Sequence, residues 1–243
     1  MTSLVSRCCK NGKYVVIYTN KRTVRALDMK TVYLIRHGES TENDRSSPIY
    51  QGEEALLTEL GESQARLIAE RAARLPIDVI VTSPYRRAMQ TADVVSKSTR
   101  LAVQVSPLFG EHRTPTSFNG REWGDALIAS FDAWRRTAYM FGKQYEGGEN
   151  FAMIRDRAVD ALKFLRERPE GNIFVVTHGF FCRVIVGLVL LQDAFLPEDL
   201  NKLEHTLITR NTGITVIRLG ADDPSKPADE WHMLTWNDHT HLG

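Results

Sequence analysis

Residues 31–40 read Thr-Val-Tyr-Leu-Ile-Arg-His-Gly-Glu-Ser. Thr31 to Ile35 has the length and composition of a strand, and so continuous an apolar run suits a central strand covered by helices on both faces. Arg36, His37 and Gly38 then fall at its carboxyl end, where layered α/β folds gather their ligands. The same sequence grammar recurs twice. Val79 to Val81 predicts a strand followed by Thr82, Ser83, Pro84, Tyr85, Arg86 and Arg87, and Ile173 to Val176 predicts one followed by Thr177, His178 and Gly179. Parallel neighbours of this kind would bring two histidines and two or three arginines to one edge of a sheet.

The intervening segments carry helical spacing. Thr58 can cap a helix with Leu60, Leu67, Ile68 and Leu75 on one face, and Ser83 with Pro84 resembles a helix start for Tyr85 to Ser98. Leu101 to Val105 predicts a third strand and Ile214 to Leu219 a late one. Helical periodicity returns over Phe151, Ile154, Ala158, Leu162 and Leu165, and again from Phe180 to Gln192. Alternation of this sort predicts an α/β fold, a three-layer α/β/α sandwich on a mostly parallel sheet. Residues 107–150 break the periodicity with Gly110, Pro115, Gly120, Gly124 and the pair Gly147 and Gly148, which predicts a lid insertion.

With 42% hydrophobic and 25% charged residues, the 243-residue chain is globular rather than disordered. A formal charge of +1 gives no global footprint for nucleic acid or anionic lipid. The run Val184 to Leu191 is far short of the roughly 20 residues of a membrane span. Three cysteines suit a reducing, cytoplasmic setting rather than a disulfide framework. Residues 1–28 differ, with six basic residues against Asp28 alone. They are expected to be a non-native or disordered extension, the domain proper running from Met29 to Gly243.

An Arg and His set at strand ends suits a phosphoryl group. Guanidinium binds phosphate oxygens bidentately and stays charged, while an imidazole nitrogen can attack phosphorus in line. A carboxyl group must still serve the leaving oxygen, and Glu111, after the third strand, is the first candidate. Glu122, Glu146 and Glu149 stand behind it. Arg86 reads as a rim residue and Cys182 as a small buried one. His112, His205, His232, His239 and His241 have no accompanying spacing of a metal site.

At these residues the chain resembles the histidine phosphatase superfamily, also called phosphoglycerate mutase-like. Leu34 to Ser40 with Asn43 is similar to its Arg-His-Gly signature, and Leu57 to Gly61 with Gln64 and Ala65 to its first-helix motif. Ser83, Pro84, Arg87, Ala88, Gln90, Thr91 and Ala92 resemble the second, Thr177 to Gly179 the third, and Asn211 to Thr215 the closing strand. The resemblance implies that His37 becomes phosphohistidine, that Arg36, Arg87, His178 and Asn43 hold the phosphoryl oxygens with Ser40 and Gly179 beside them, and that Glu111 is acid and then base. It implies no cofactor and no metal. Glu42 stands where many relatives carry an aromatic residue, and Leu108 lies three residues before Glu111 where the family spacing is often two.

A small phosphorylated substrate is therefore expected, without nucleic acid or membrane partners. The phosphatase branch is favoured because only 41 residues separate Arg136 from His178, too few for the extended insertion of the mutases. Trp134, Arg135 and Arg136 look like a mutase element, which keeps phosphoglycerate mutase-type transfer open; a silent phosphate-binding protein is the other alternative. In the lid, Arg113, Arg121, Arg135 and Arg136 could bind a second acidic group, while Phe118, Trp123, Trp134 and Tyr139 could stack on a ring. The chemistry asks for neutral His37 and cationic His178, hence pKa values pushed apart and a bell-shaped pH profile.

Overall fold

The computed structural model describes residues 29–44, 46–130, 146–220 and 225–243. The extension 1–28 and the lid residues Trp134, Arg135, Arg136 and Tyr139 lie outside the described residues. Six strands form one sheet in the order β3-β2-β4-β1-β5-β6. They are β1 (Lys30–Arg36), β2 (Val79–Thr82), β3 (Val103–Val105), β4 (Asn172–Thr177), β5 (Ile214–Leu219) and β6 (Trp231–Asp238). The pairs β1 with β4, β4 with β2 and β2 with β3 are parallel, whereas β1 with β5 and β5 with β6 are antiparallel.

Side-chain alternation sends each strand's residues to two separate cores. On one face α1 (Glu59–Ala72) and α2 (Arg86–Thr99) bury Ile68, Ala69, Ala88, Ala92 and Val95 against Ile35, Ile80, Phe174 and Val176. On the other, α3 (Phe151–Glu167) and α4 (Gly179–Leu191) bury Ile154, Ala158, Leu165, Val184 and Ile185 against Val32, Leu34, Val81, Ile173 and Val175. The α/β/α sandwich is thus as expected.

Three details differ from the sequence expectation. Arg100 closes α2 in the left-handed region at φ 60°, and the third strand shortens to an exposed edge of three residues. Helix α2 starts at Arg86 behind Tyr85, so Ser83 does not cap it and Pro84 precedes its first turn. Helix α5 (Pro197–Thr206) and β6 were not anticipated, because α5 buries only Leu200 and β6 is half-buried along most of its length. Neither presents a strong hydrophobic period. The described part of the lid holds short 3-10 turns at Pro107–Phe109 and Thr116–Phe118.

Candidate active site

Register assembles the site. Arg36 lies opposite Thr177, and Val176 opposite Thr82, so the next residues along β1, β4 and β2 are His37, His178 and Ser83 at one sheet edge. Glycines let the backbone close on this edge: a Cβ on Gly61 would sit 1.9 Å from the Glu39 carbonyl oxygen, and one on Gly38 2.5 Å from that of Gly61. The α1 start, capped by Thr58, therefore packs on the turn that follows β1.

His37 is 2% exposed. Its Nδ1 lies 2.6 Å from the Gly38 carbonyl, which can only accept, so the proton sits on Nδ1 and Nε2 carries the lone pair. That lone pair accepts from Arg87 Nε at 3.0 Å. Arg87 also donates through Nη1 to the Gly52 carbonyl at 2.6 Å, and Arg36 through Nη1 to that of Thr209 at 2.6 Å. His178, fully buried, pairs Nε2 with Ser83 Oγ at 2.7 Å, and its ring packs edge-on to His37 at 5.0 Å between centroids.

Arg36 Nε and His178 Nδ1 are buried beside these groups without a protein partner. A buried polar atom left unpaired costs roughly 1–3 kcal/mol, and of these two Arg36 lines the pocket, whereas His178, fully buried, is not among the residues that line it. Gly179 lines the same pocket, and a Cβ there would meet Arg36 Nε at 3.3 Å and Thr209 Oγ1 at 2.8 Å. Asn43 lines it too, its Oδ1 taken by Ser40 N and Asn211 Nδ2. Ser40 is a correction: fully buried and bridged to Leu57, it stands behind the pocket wall rather than on it.

Glu111 lines the pocket, and its carboxylate accepts from the backbone N–H of Phe180 at 3.3 Å and of Phe181 at 3.1 Å, at the start of α4. Of the other carboxylates considered, Glu149 is committed elsewhere. It is 1% exposed and takes Arg157 on both oxygens, at 2.8 and 2.7 Å, and Arg113 at 2.8 Å. Although burial alone would raise its pKa, the Arg157 and Arg113 contacts pull it down to about 2. Glu146 and Glu122 are exposed and off the pocket lining. Glu42 does line it, accepting from the N–H of Gly52 at 3.2 Å, and burial pushes its carboxyl up.

Both histidines shift the same way, which corrects the expected separation. Burial first, then Arg87, holds each well below the ordinary value of 6.5, because the two rings share one desolvated pocket and the same guanidinium. The sign for stability follows. Between the folded pKa values and 6.5 the unfolded chain binds more protons, so stability falls as pH drops below 6.5. The share from Glu149 disappears later, as pH falls from 4.5 toward about 2. The melting temperature is therefore expected to decline from about pH 6.5 downward, before ordinary carboxylates titrate; a flat profile from pH 7.5 to 5 would contradict this.

Sequence reasoning missed four functional neighbours. Ser83 orients His178. Arg157 donates to the carbonyls of Leu108, Gly110 and Glu111 at 3.0, 2.8 and 3.1 Å, fixing the Glu111 backbone. Its signal was a charge on the apolar face of α3, between Ile154 and Ala161. Arg183 lines the pocket from α4, one turn after Gly179. His241, set aside in the sequence, bonds Thr212 Oγ1 at 3.0 Å, and Thr212 N in turn donates to the Arg36 carbonyl at 2.8 Å. The pocket as a whole is a cavity of about 800 Å³. No helix among the described residues is long and apolar enough to cross a membrane.

A family model for the histidine phosphatase superfamily (branch 1) matches residues 32–239. The "Probable phosphoglycerate mutase GpmB" of Photorhabdus laumondii is 30% identical over 218 residues, 88% of this chain and 95% of that one. A putative alpha-ribazole-5'-P phosphatase from Escherichia coli superimposes with a TM-score of 0.68 at 20% identity, covering 86% of this chain and 96% of the other. A mycobacterial glucosyl-3-phosphoglycerate phosphatase gives 0.64 at 23% identity, covering 87% and 100%. At these identities the two structures speak for the fold.

Proposed function

Since the chain belongs to the histidine phosphatase superfamily, branch 1, we propose that it is a phosphomonoesterase working through a phosphohistidine on His37. The observation that carries this reading is the locked tautomer: Nδ1–H is spent on Gly38, leaving the Nε2 lone pair on the pocket side beside Arg87. Arg36 Nε and His178 Nδ1 are the unpaired partners for phosphoryl oxygens. A bound phosphate dianion supplies the charge that lets His178 take a proton, which the pocket alone disfavours.

In the first step Nε2 attacks phosphorus and the ester P–O bond breaks, Glu111 giving its proton to the departing oxygen. In the second, water attacks phosphorus, Glu111 takes back a proton, and the N–P bond breaks to release phosphate. The scheme uses only side chains of this protein. Glu111→Gln should then lower kcat/KM, which reports the first step alone, about 100-fold on an alkyl phosphate yet spare it on an aryl phosphate, whose leaving group needs no proton. Equal losses on both would remove Glu111 from the acid role.

The second reading is phosphoglycerate mutase-type transfer, favoured by the name of the 30%-identical relative. Both readings use the same nucleophile and differ in whether water or a second substrate oxygen receives the phosphoryl group. Phosphate release from an aryl phosphate with chelator present, beside isomerisation of 3-phosphoglycerate, separates them. Release that requires His37 supports the phosphatase; isomerisation without release makes the chain a mutase. If neither occurs while phosphate still binds, the protein is a silent binder.

A further inference from the structure

The cations that the sequence offered for a second acidic group are already held in ion pairs where they are described. Arg113 is paired with Glu149 at 2.8 Å and Arg121 with Asp125 at 3.0 Å. Arg183 is not. Its Nε donates to the Leu207 carbonyl at 2.9 Å and its Nη1 to the Gly179 carbonyl at 3.2 Å, and it forms no ion pair among the described residues. Two neutral carbonyls orient a guanidinium without cancelling its charge, and Nη2 with the second Nη1 proton remains as a fork.

The placement is specific. Arg183 stands four residues after Gly179, hence on the same side of α4 and about 5–6 Å along it. Gly179 abuts Arg36, so the fork shares the cavity with the groups that face the phosphoryl site. Its charge is felt there, since Arg183 is among the causes that lower the Arg36 pKa. A cavity of about 800 Å³ leaves room for far more than one phosphoryl group.

We propose that Arg183 is a second oxyanion position, receiving a carboxylate or a further phosphoryl group on the same small substrate, about one helical turn from the phosphoryl transferred to His37. The assignment rests on the reading of His37 as the nucleophile, and it narrows the substrate class to phosphoesters with a second anionic group. The discriminating cation is then supplied by α4 rather than by the lid.

The test separates binding from turnover. In the His37→Ala protein, calorimetry compares 3-phosphoglycerate with glycerol 3-phosphate, and fructose 1,6-bisphosphate with fructose 6-phosphate. Each pair differs in the second anion, and the two pairs distinguish carboxylate from phosphoryl. A preference for the anionic member of at least one pair is expected, falling at least tenfold in Arg183→Gln and less in Arg183→Lys, which keeps the charge but not the fork. An unchanged preference in Arg183→Gln overturns the proposal. Should that variant not fold, the parent decides: equal affinities within both pairs overturn it, and a preference that vanishes at high salt sustains it. Hydrolysis is assayed separately with His37 intact, so a preference without turnover sinks the phosphatase reading alone.

Discussion

His37→Ala is expected to reduce phosphate release by on the order of 10³-fold or more while leaving the fold in place. The size follows from what remains. Arg36, Arg87 and His178 would still gather the phosphoryl oxygens, so binding survives, but the ring that has one nitrogen committed to a carbonyl and the other facing Arg87 is gone. Stability should change little in comparison, since the ring's own bonds are one to Gly38 and one from Arg87. Two measurements check it: turnover, and acid-labile incorporation of labelled phosphate after rapid quenching in base. Label retained in the alanine protein would move the nucleophile elsewhere.

Glu149→Ala should cost about 3–5 kcal/mol of stability, the usual result of removing one partner from a buried pair. Arg157, half-buried over the Phe181 ring at 4.4 Å, would keep its charge and lose the carboxylate it pairs with on both oxygens. The backbone N–H of Arg113, which donates to Glu149 at 3.0 Å, would be freed as well. Because Arg157 also grips the carbonyls of Leu108, Gly110 and Glu111, the damage should reach catalysis: kcat falls with the melting temperature, and the alkyl-to-aryl rate ratio falls with it. Glu149→Gln, which keeps the shape and part of the bonding, should lose less. Urea denaturation of the three proteins gives the answer, and a shift under 1 kcal/mol for the alanine variant would be inconsistent with a buried ionic hub.

How far the sequence carried this reading depends on where information sits along the chain. His37 and His178 were legible because each directly follows an apolar strand, and neighbouring parallel strands leave little choice about where such residues go. Both cores followed from periodicity, and the glycines of the turn after β1 and of α1 were marked by their motifs. Peripheral elements were not, since β6 and α5 bury too little to carry a period. Pairings between a loop and a helix were silent for another reason. Glu149 and Arg157 meet across the lid entrance, and nothing local says that one of several lid carboxylates will be swallowed whole. Arg183 stayed hidden because α4 is apolar almost all round, and an arginine in such a helix reads as a boundary until the facing wall is known. His241 reaches Thr212 only once β6 has folded back beside β5.

Arg87 and Arg36, which both line the pocket, each hold a different wall by its main chain, Arg87 the carbonyl of Gly52 and Arg36 that of Thr209. Such anchors are indifferent to side-chain identity. Tyr50, Glu53, Glu54, Leu207 and Ile208 can therefore be exchanged freely as far as the cradle is concerned, whereas one residue inserted or deleted in either segment drags a guanidinium off its station. For an engineer seeking new substrates, the chain already draws the boundary of the library: randomise the letters of these two loops and keep their length.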